Sequence, residues 1–186
     1  MLSGREIEAD FEFTWAVLTD FFGQRRIQRT LDAIHETEIS GWEKWWQVEL
    51  AVCLSDHDDV AEWNMEERFF IDRRRSADRE FLAVDLCFRR KRCAKDSMIY
   101  MELKQDADWK CCIENMLRDA LKVADARTRS QEGGAWRSFF VAGIYPSIPK
   151  AEIHDYVEQR LDEREIEWDL MDTKFISGTP YSFTMF

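Results

Sequence analysis

The chain has 186 residues, of which 45% are hydrophobic and 34% charged, and its formal net charge is −11 at pH 7. The 8 Trp and 13 Phe, against 7 Gly and 3 Pro, exclude a disordered or fibrous protein. A chain of this length can bury one hydrophobic core, so we predict a single domain over residues 1–186. Its apolar runs fall well short of the roughly 20 residues that cross a bilayer, so we expect no membrane contact.

The charge is unevenly distributed along the sequence. The segment from Arg68 to Lys95 holds ten Lys or Arg and four Asp or Glu, a net +6, which leaves −17 on the rest of the chain. An acidic protein does not bind nucleic acid over its whole surface, but a basic strip on an acidic body can face phosphates. The same charges could instead protect strand edges from aggregation, and both interpretations stay open.

The cysteines and histidines do not form a metal-binding pattern. The five cysteines have no C-x-x-C spacing, and the three histidines are scattered among them. Since structural zinc sites are built from short paired spacings, we expect free thiols in a reducing cytosol and no zinc. The N-terminal segment carries acids where a secretory signal has basic and apolar residues, so we predict a cytoplasmic protein.

Helices are predicted in the first part of the chain. Apolar residues at steps of three and four indicate a helix from Arg5 to Phe22 and a shorter one around Leu31. A third helix is predicted from Trp42 to Leu54, and Glu49 lies in the middle of its apolar stripe. That stripe consists of Trp42, Trp45, Trp46, Val52 and Cys53. A carboxylate in such a position needs a partner.

Strands dominate the middle of the chain. Three strand-like segments, Arg68–Arg74, Glu80–Arg89 and Met98–Lys104, are separated by charged turns and predict an antiparallel meander. A helix from Asp106 to Arg127 and an all-apolar interior strand, Ser138–Tyr145, follow.

The last part of the chain adds peripheral elements. Pro149 suits the first turn of a helix that runs to Leu161, and the tail predicts one or two short strands. The tail strands would contain Phe175, Ile176, Tyr181, Phe183 and Phe186. The order of elements predicts an α/β fold with a mixed sheet flanked by helices.

One group of side chains points to chemistry. Strand alternation places Glu102 and Lys104 on one face of the third strand, and Asp85 lies in the second strand with Ala83 and Cys87 on its face. If the meander pairs Asp85 with the end of the third strand, two carboxylates and an ammonium converge there. The carboxylates would repel each other without a cation, and Mg²⁺ suits such oxygen ligands.

These residues, in the order WEKWWQVEL, FLAVDLCF and IYMELKQ, resemble the PD-(D/E)XK nuclease superfamily, although no Pro precedes Asp85. The resemblance implies a restriction-endonuclease-like αβββαβ core over residues 41–145, after an N-terminal helical extension (1–40) and before a C-terminal helix and strands (146–186). It implies hydrolysis of phosphodiester bonds in DNA or RNA with Mg²⁺ or Mn²⁺. The implied metal ligands are Asp85, Glu102, the carbonyl of Leu103 and an accessory Glu49, with Lys104 as the catalytic base or cation.

The expected partner is nucleic acid, with DNA favoured over RNA, and a homodimer or a partner subunit would supply specificity. Candidate nucleic-acid contacts are Arg73, Arg74, Arg75, Arg89, Arg90 and Gln105.

Structural, non-catalytic interpretations of the same residues remain open. Asp85 and Lys104 could form a cross-strand ion pair, and Glu49 could pair with an arginine of the first strand. The net charge also allows a non-catalytic acidic interaction or inhibitor protein that uses the same fold to bind a basic partner. Binding of Mn²⁺ would discriminate between the two functions.

Overall fold

The computed structural model describes residues 4–70, 81–129, 138–164 and 170–186, without the side chains of 69–70, 81–82 and 124–129. In this part of the chain, five helices flank a sheet of six strands, which confirms the predicted α/β fold with a mixed sheet. The elements are α1 (Gly4–Gly23), α2 (Arg25–Glu36), α3 (Glu43–Asp56), β1 (Val60–Phe70), β2 (Phe81–Arg90), β3 (Ile99–Gln105), α4 (Trp109–Arg129), β4 (Ser138–Pro146), α5 (Lys150–Asp162), β5 (Asp172–Phe175) and β6 (Tyr181–Met185).

The strand order across the sheet is β1-β2-β3-β4-β6-β5. The strands β3 and β4 run parallel, and α4 makes the crossover between them. The other neighbouring strands are antiparallel. The C-terminal ends of β3 and β4 therefore lie at the same end of the sheet as the turn between β5 and β6.

Each face of the sheet carries its own core. Alternate residues of β4 divide between them: Phe140 and Ile144 pack with α1, α2 and α3, whereas Phe139 and Tyr145 pack with α4 and α5. A strand covered on both faces has no polar side, which explains the all-apolar run predicted as an interior strand. None of the described helices is long and apolar enough to cross a membrane.

The first strand begins earlier than the sequence predicts. β1 starts at Val60 rather than at Arg68, and residues 71–80 lie outside the described residues. Among the described strands, β1 lies at the edge of the sheet and pairs with β2, and its residues Glu62 and Glu66 are exposed to solvent. Since an edge strand tolerates charges that an interior strand excludes, its acids gave it the appearance of a loop.

The start of α4 is set by a side-chain cap. Asp108 Oδ1 accepts hydrogen bonds from the backbone N–H groups of Lys110 (2.8 Å) and Cys111 (3.1 Å). This is the N-cap role of an aspartate, so the helix begins at Trp109 and not at the predicted Asp106.

The close approach of α4 to β4 depends on Gly143. A Cβ atom at this position would overlap Met116 Sδ and lie 2.9 Å from Cys112 Sγ. We expect Gly143→Ala to lower the free energy of unfolding by about 1–3 kcal/mol, because both sulfur side chains are buried and α4 must move away.

Urea unfolding would measure this effect, with Gly23→Ala as the control. A Cβ at Gly23 meets nothing within 4 Å, so the control should change stability by less than about 0.5 kcal/mol. Equal stability of the two variants would contradict the tight packing of α4 on β4.

Candidate active site

The ladder between β2 and β3 ends where the candidate residues begin. Its paired residues run from Phe88–Ile99 to Leu86–Met101. Beyond Met101, backbone N–H groups of β3 donate hydrogen bonds to side-chain carboxylates instead of to the backbone carbonyls of β2. The N–H of Leu103 donates to Asp85 Oδ2 at 2.8 Å, and the N–H of Gln105 donates to Glu43 Oε2 at 3.2 Å. The opening of the two strands thus draws two carboxylates to the end of β3.

Asp85 is held from two sides. Besides the bond from Leu103, its Oδ1 accepts a hydrogen bond of 2.8 Å from Nε2 of Gln47 on α3. The Gln47 side chain is 5% exposed, and its Oε1 accepts from Lys44 Nζ at 3.0 Å. Because a buried amide with both ends bonded cannot rotate freely, Gln47 fixes the orientation of Asp85.

The regular alternation predicted for the second strand is wrong at Asp85. Val84 packs with Cys87 in the core beneath α4 and α5, whereas Leu86 packs in the core beneath α1, α2 and α3. Glu66 of β1 lies between the partners of Val84 and Leu86 and has a φ of 54°, in the left-handed region. The pairing of β1 with β2 is therefore irregular opposite Asp85, and the side chains of β2 change faces at this residue.

Glu102 and Lys104 lie together on the face of β3 that α4 covers. Lys104 Nζ donates to the carbonyl of Leu103 at 3.0 Å, and it lies 3.4 Å from Glu102 Oε2 and 2.8 Å from Asp119 Oδ2 of α4. The predicted alternative of an ion pair between Lys104 and Asp85 is therefore replaced by pairs with these two acids. We refer to Glu43, Asp85, Glu102, Lys104 and Asp119 together as the fork.

The electrostatics of the fork separate its acids into two kinds. Burial, and then the neighbouring Asp85 carboxylate, raise the pKa of Glu102 to about 9. Burial also raises the pKa of Glu43, against the opposing effect of Lys104. Although burial opposes the ionised form of Asp119, hydrogen bonds from Lys104 and Lys122 hold its pKa below the usual range. Glu102 is thus the acid that retains a proton when no other cation is near.

Lys104 is the built-in cation of the fork. Burial opposes its charge, but the carboxylates of Glu102 and Asp119 outweigh that effect and raise its pKa above the ordinary value. The ammonium therefore stays protonated at neutral pH.

Glu49 has its partner outside the fork, so the structure does not bring it together with the other predicted ligands. Its Oε2 pairs with Nη1 of Arg26 on α2. Glu49 follows Gln47 by two residues, a rotation of about 200° around the helix, so it faces away when Gln47 faces Asp85. An arginine pair was the alternative for Glu49, although the arginine comes from α2 and not from the first strand. Val52 of the predicted stripe is likewise 46% exposed.

Two fork residues were missed by the sequence reasoning. Glu43 is in the first turn of α3, four residues before Gln47, and this spacing could have indicated one shared face. Asp119 lies at the border of the apolar stripe of α4, where a charged side chain is ordinary, so no sequence signal selects it.

Of the candidate nucleic-acid contacts, the structure describes Arg89, Arg90 and Gln105. Arg73, Arg74 and Arg75 fall outside the described residues. Arg89 Nε pairs with Glu62 Oε1 at 2.8 Å, and the Arg90 guanidinium lies 4.7 Å from the centre of the Phe13 ring. Both arginines are at the end of β2 away from Asp85 and bind neighbouring elements.

Gln105 differs from these arginines because its backbone N–H bonds to Glu43 in the fork. The contact predicted for Gln105 therefore lies beside the candidate catalytic residues.

Among the residues described, no three His, Cys, Asp or Glu side chains are arranged to hold an ion. The five cysteines are free thiols, as predicted.

The raised pKa of Glu102 leads to a pH prediction. Between its ordinary value of 4.5 and about 9, the folded state holds a proton that the unfolded state has lost, so stability decreases as pH rises. Without divalent ions, we expect the wild type to lose more than about 1 kcal/mol relative to Glu102→Gln between about pH 5.5 and about pH 8.5.

Urea titrations of both proteins in EDTA would measure this difference. Titrating groups outside the fork affect the two proteins alike, so the variant serves as their control. Parallel pH curves would contradict the assignment of the retained proton to Glu102.

Comparison of the chain with family models, with curated proteins and with solved structures finds no match.

Proposed function

We propose that the protein is a metal-dependent nuclease whose core is related to the PD-(D/E)XK nucleases. The observation that supports this most is the meeting of Asp85, Glu102 and Lys104 at the opening between β2 and β3. The order α3-β1-β2-β3-α4-β4 also agrees with the αβββαβ arrangement that the resemblance implies. DNA or RNA would be the substrate, with a Mg²⁺-activated water as the nucleophile.

The donor chemistry of the fork fits a hard divalent ion. Asp85 and Glu102 are neighbouring carboxyls, and Glu102 is 8% exposed, so that its burial and the Asp85 carboxylate both raise the pKa of Glu102. Mg²⁺ is commonly held by one or two carboxylates and completes its shell with water and phosphate oxygens. Asp85, Glu102 and the Leu103 carbonyl would hold it, and Glu102 would release its proton on binding.

The bound ion would supply a nucleophilic hydroxide and offset charge on the phosphoryl group. The residues of the chain do the positioning. Gln47 and the N–H of Leu103 fix Asp85, and Asp119 holds the Lys104 ammonium over the end of β3. Because the carboxylates of Glu102 and Asp119 raise the pKa of Lys104, this side chain would stabilise developing negative charge rather than act as a general base.

The test is cleavage by the purified full chain. Duplex DNA, single-stranded DNA and RNA would be incubated with Mg²⁺ or Mn²⁺, and with EDTA as the control. We expect cleavage with the ions alone. Absence of cleavage, together with no heat of Mn²⁺ binding in calorimetry, would refute the proposal.

A second candidate is a non-catalytic acidic protein that binds a basic partner. The observation that favours it is the ion pairing of Lys104, which already places a positive charge between Glu102 and Asp119. Calorimetry distinguishes the two functions, since this candidate requires no divalent ion.

A further inference from the structure

A pocket outside the fork lies between α2 and the turn that joins β5 to β6. Its volume is about 280 Å³, and it is lined by Arg25, Gln28, Arg29, Asp32 and Gly178. Arg25 and Arg29 are four residues apart and so lie on one face of α2, one turn from each other. Two guanidinium groups thus border one concave surface of a protein whose net charge is −11.

Among the described residues, Arg25 and Arg29 have no acidic partner of the kind that neutralises the adjacent Arg26. Arg26 pairs with Glu49, whereas Arg25 and Arg29 are exposed and form no ion pair with any residue that the structure describes. Asp32 is the single acid in the lining and balances one of the two charges at most.

The position of the arginines on the helix adds to the imbalance. The first turn of α2 contains no acid, and its N-cap residue, Gln24, makes no side-chain capping bond. Cations near a helix N-terminus oppose the helix dipole, and the free N–H groups there favour an anion. Charge arrangements that are locally unfavourable and have no compensating contact are typical of binding sites.

The chemistry of the lining indicates the class of anion. A guanidinium presents paired N–H donors that match the oxygens of a phosphate. We propose that this pocket binds a backbone phosphate of the nucleic-acid strand on which the fork acts, an inference that rests on the proposed function.

The topology places the pocket at the same end of the sheet as Lys104. Pro146 at the C-terminal end of β4 pairs with Tyr181, so the turn containing Gly178 lies at the end where β3 presents Lys104. β6 is separated from β3 by β4 alone, about 10 Å across the sheet, whereas α2 covers the face of the sheet opposite to Glu102 and Lys104. A strand bound at the fork would therefore reach the pocket by passing around this end of the sheet, over several nucleotides at about 3.4 Å each.

The experiment measures binding without cleavage. Fluorescence anisotropy of labelled single-stranded DNA and RNA oligonucleotides would be titrated with the full chain in EDTA over a range of salt concentrations. The test variant is Arg25→Gln/Arg29→Gln. The control, Arg5→Gln/Arg118→Gln, removes the same charge from exposed arginines of α1 and α4 that do not line the pocket.

We expect the arginine pair variant to bind about tenfold more weakly and the slope of log K against log salt to fall by about 0.7, because the contact with one phosphate is lost. The control variant should bind within about twofold of the wild type. The DNA and RNA arms identify which backbone supplies the phosphate.

If both double variants weaken binding equally, the pocket is contradicted, because diffuse charge would then explain the binding. The pocket is also contradicted if the arginine variant binds as tightly as the wild type, or if the wild type does not bind. The cleavage assay keeps the two proposals separate. Cleavage with unchanged binding of the arginine variant contradicts the pocket alone, and arginine-dependent binding without cleavage contradicts the nuclease alone.

Discussion

Lys104→Ala and Glu102→Ala are each expected to reduce metal-dependent cleavage by at least about 100- to 1,000-fold, the loss measured when one group that stabilises transition-state charge is removed. Lys104 supplies the positive charge nearest the Leu103 carbonyl, and Glu102 supplies the buried carboxylate beside Asp85. The initial rate of cleavage of a labelled substrate with Mg²⁺ would measure both effects.

The matched control is Lys122→Ala. Lys122 also pairs with Asp119, but its side chain is 43% exposed and it makes no recorded contact with Glu102 among the described residues. We expect it to retain cleavage within a few-fold, and thermal unfolding would verify that all three variants fold. Cleavage that persists in Lys104→Ala or Glu102→Ala would refute the roles assigned to these residues.

The two glutamates of α3, Glu43 and Glu49, are expected to differ strongly in their effect on cleavage. Glu43→Gln is expected to lower cleavage by about 10- to 100-fold, the usual cost of losing a group that orients metal ligands. Its carboxylate accepts the N–H of Gln105 and lies in the field of Lys104 and Asp85. Glu49→Gln should leave cleavage unchanged, since that side chain pairs with Arg26.

Both substitutions remove one charge from the same helix and keep an acceptor oxygen, so each controls for the other. The same kinetic assay applies. If Glu49→Gln lowers cleavage and Glu43→Gln does not, then the orientation of α3 described above is incorrect and the original expectation for Glu49 is restored.

The sequence predicts the elements well where one physical pattern dominates. The two-residue alternation of β3 places Glu102 and Lys104 on one face, and the structure has them there against Asp119. The unbroken apolar run of β4 correctly indicates an interior strand. The edge strand β1 was misjudged because exposure to solvent on one side permits acids that resemble those of a loop.

The composition of the fork depends on contacts that no local pattern encodes. Glu43 and Gln105 are 62 residues apart, and Gln47 and Asp85 are 38 apart. The stripe predicted for α3 was centred on Glu49, whereas the residues that the helix buries are Trp46, Gln47, Leu50, Ala51 and Leu54. Helical periodicity alone did not show how α3 is rotated against the sheet, and that rotation brings Glu43 rather than Glu49 to the end of β3.

The exchange of strand carbonyls for carboxylates along β3 provides the protein with built-in spectroscopic probes. The amide protons of Leu103 and Gln105 point at Asp85 and Glu43, whereas their neighbours in the strand donate to other partners. The shift of an amide proton in a nuclear magnetic resonance spectrum follows the charge on its acceptor. These two resonances would thus register protonation or ion capture by each acid separately, without any label attached to the chain.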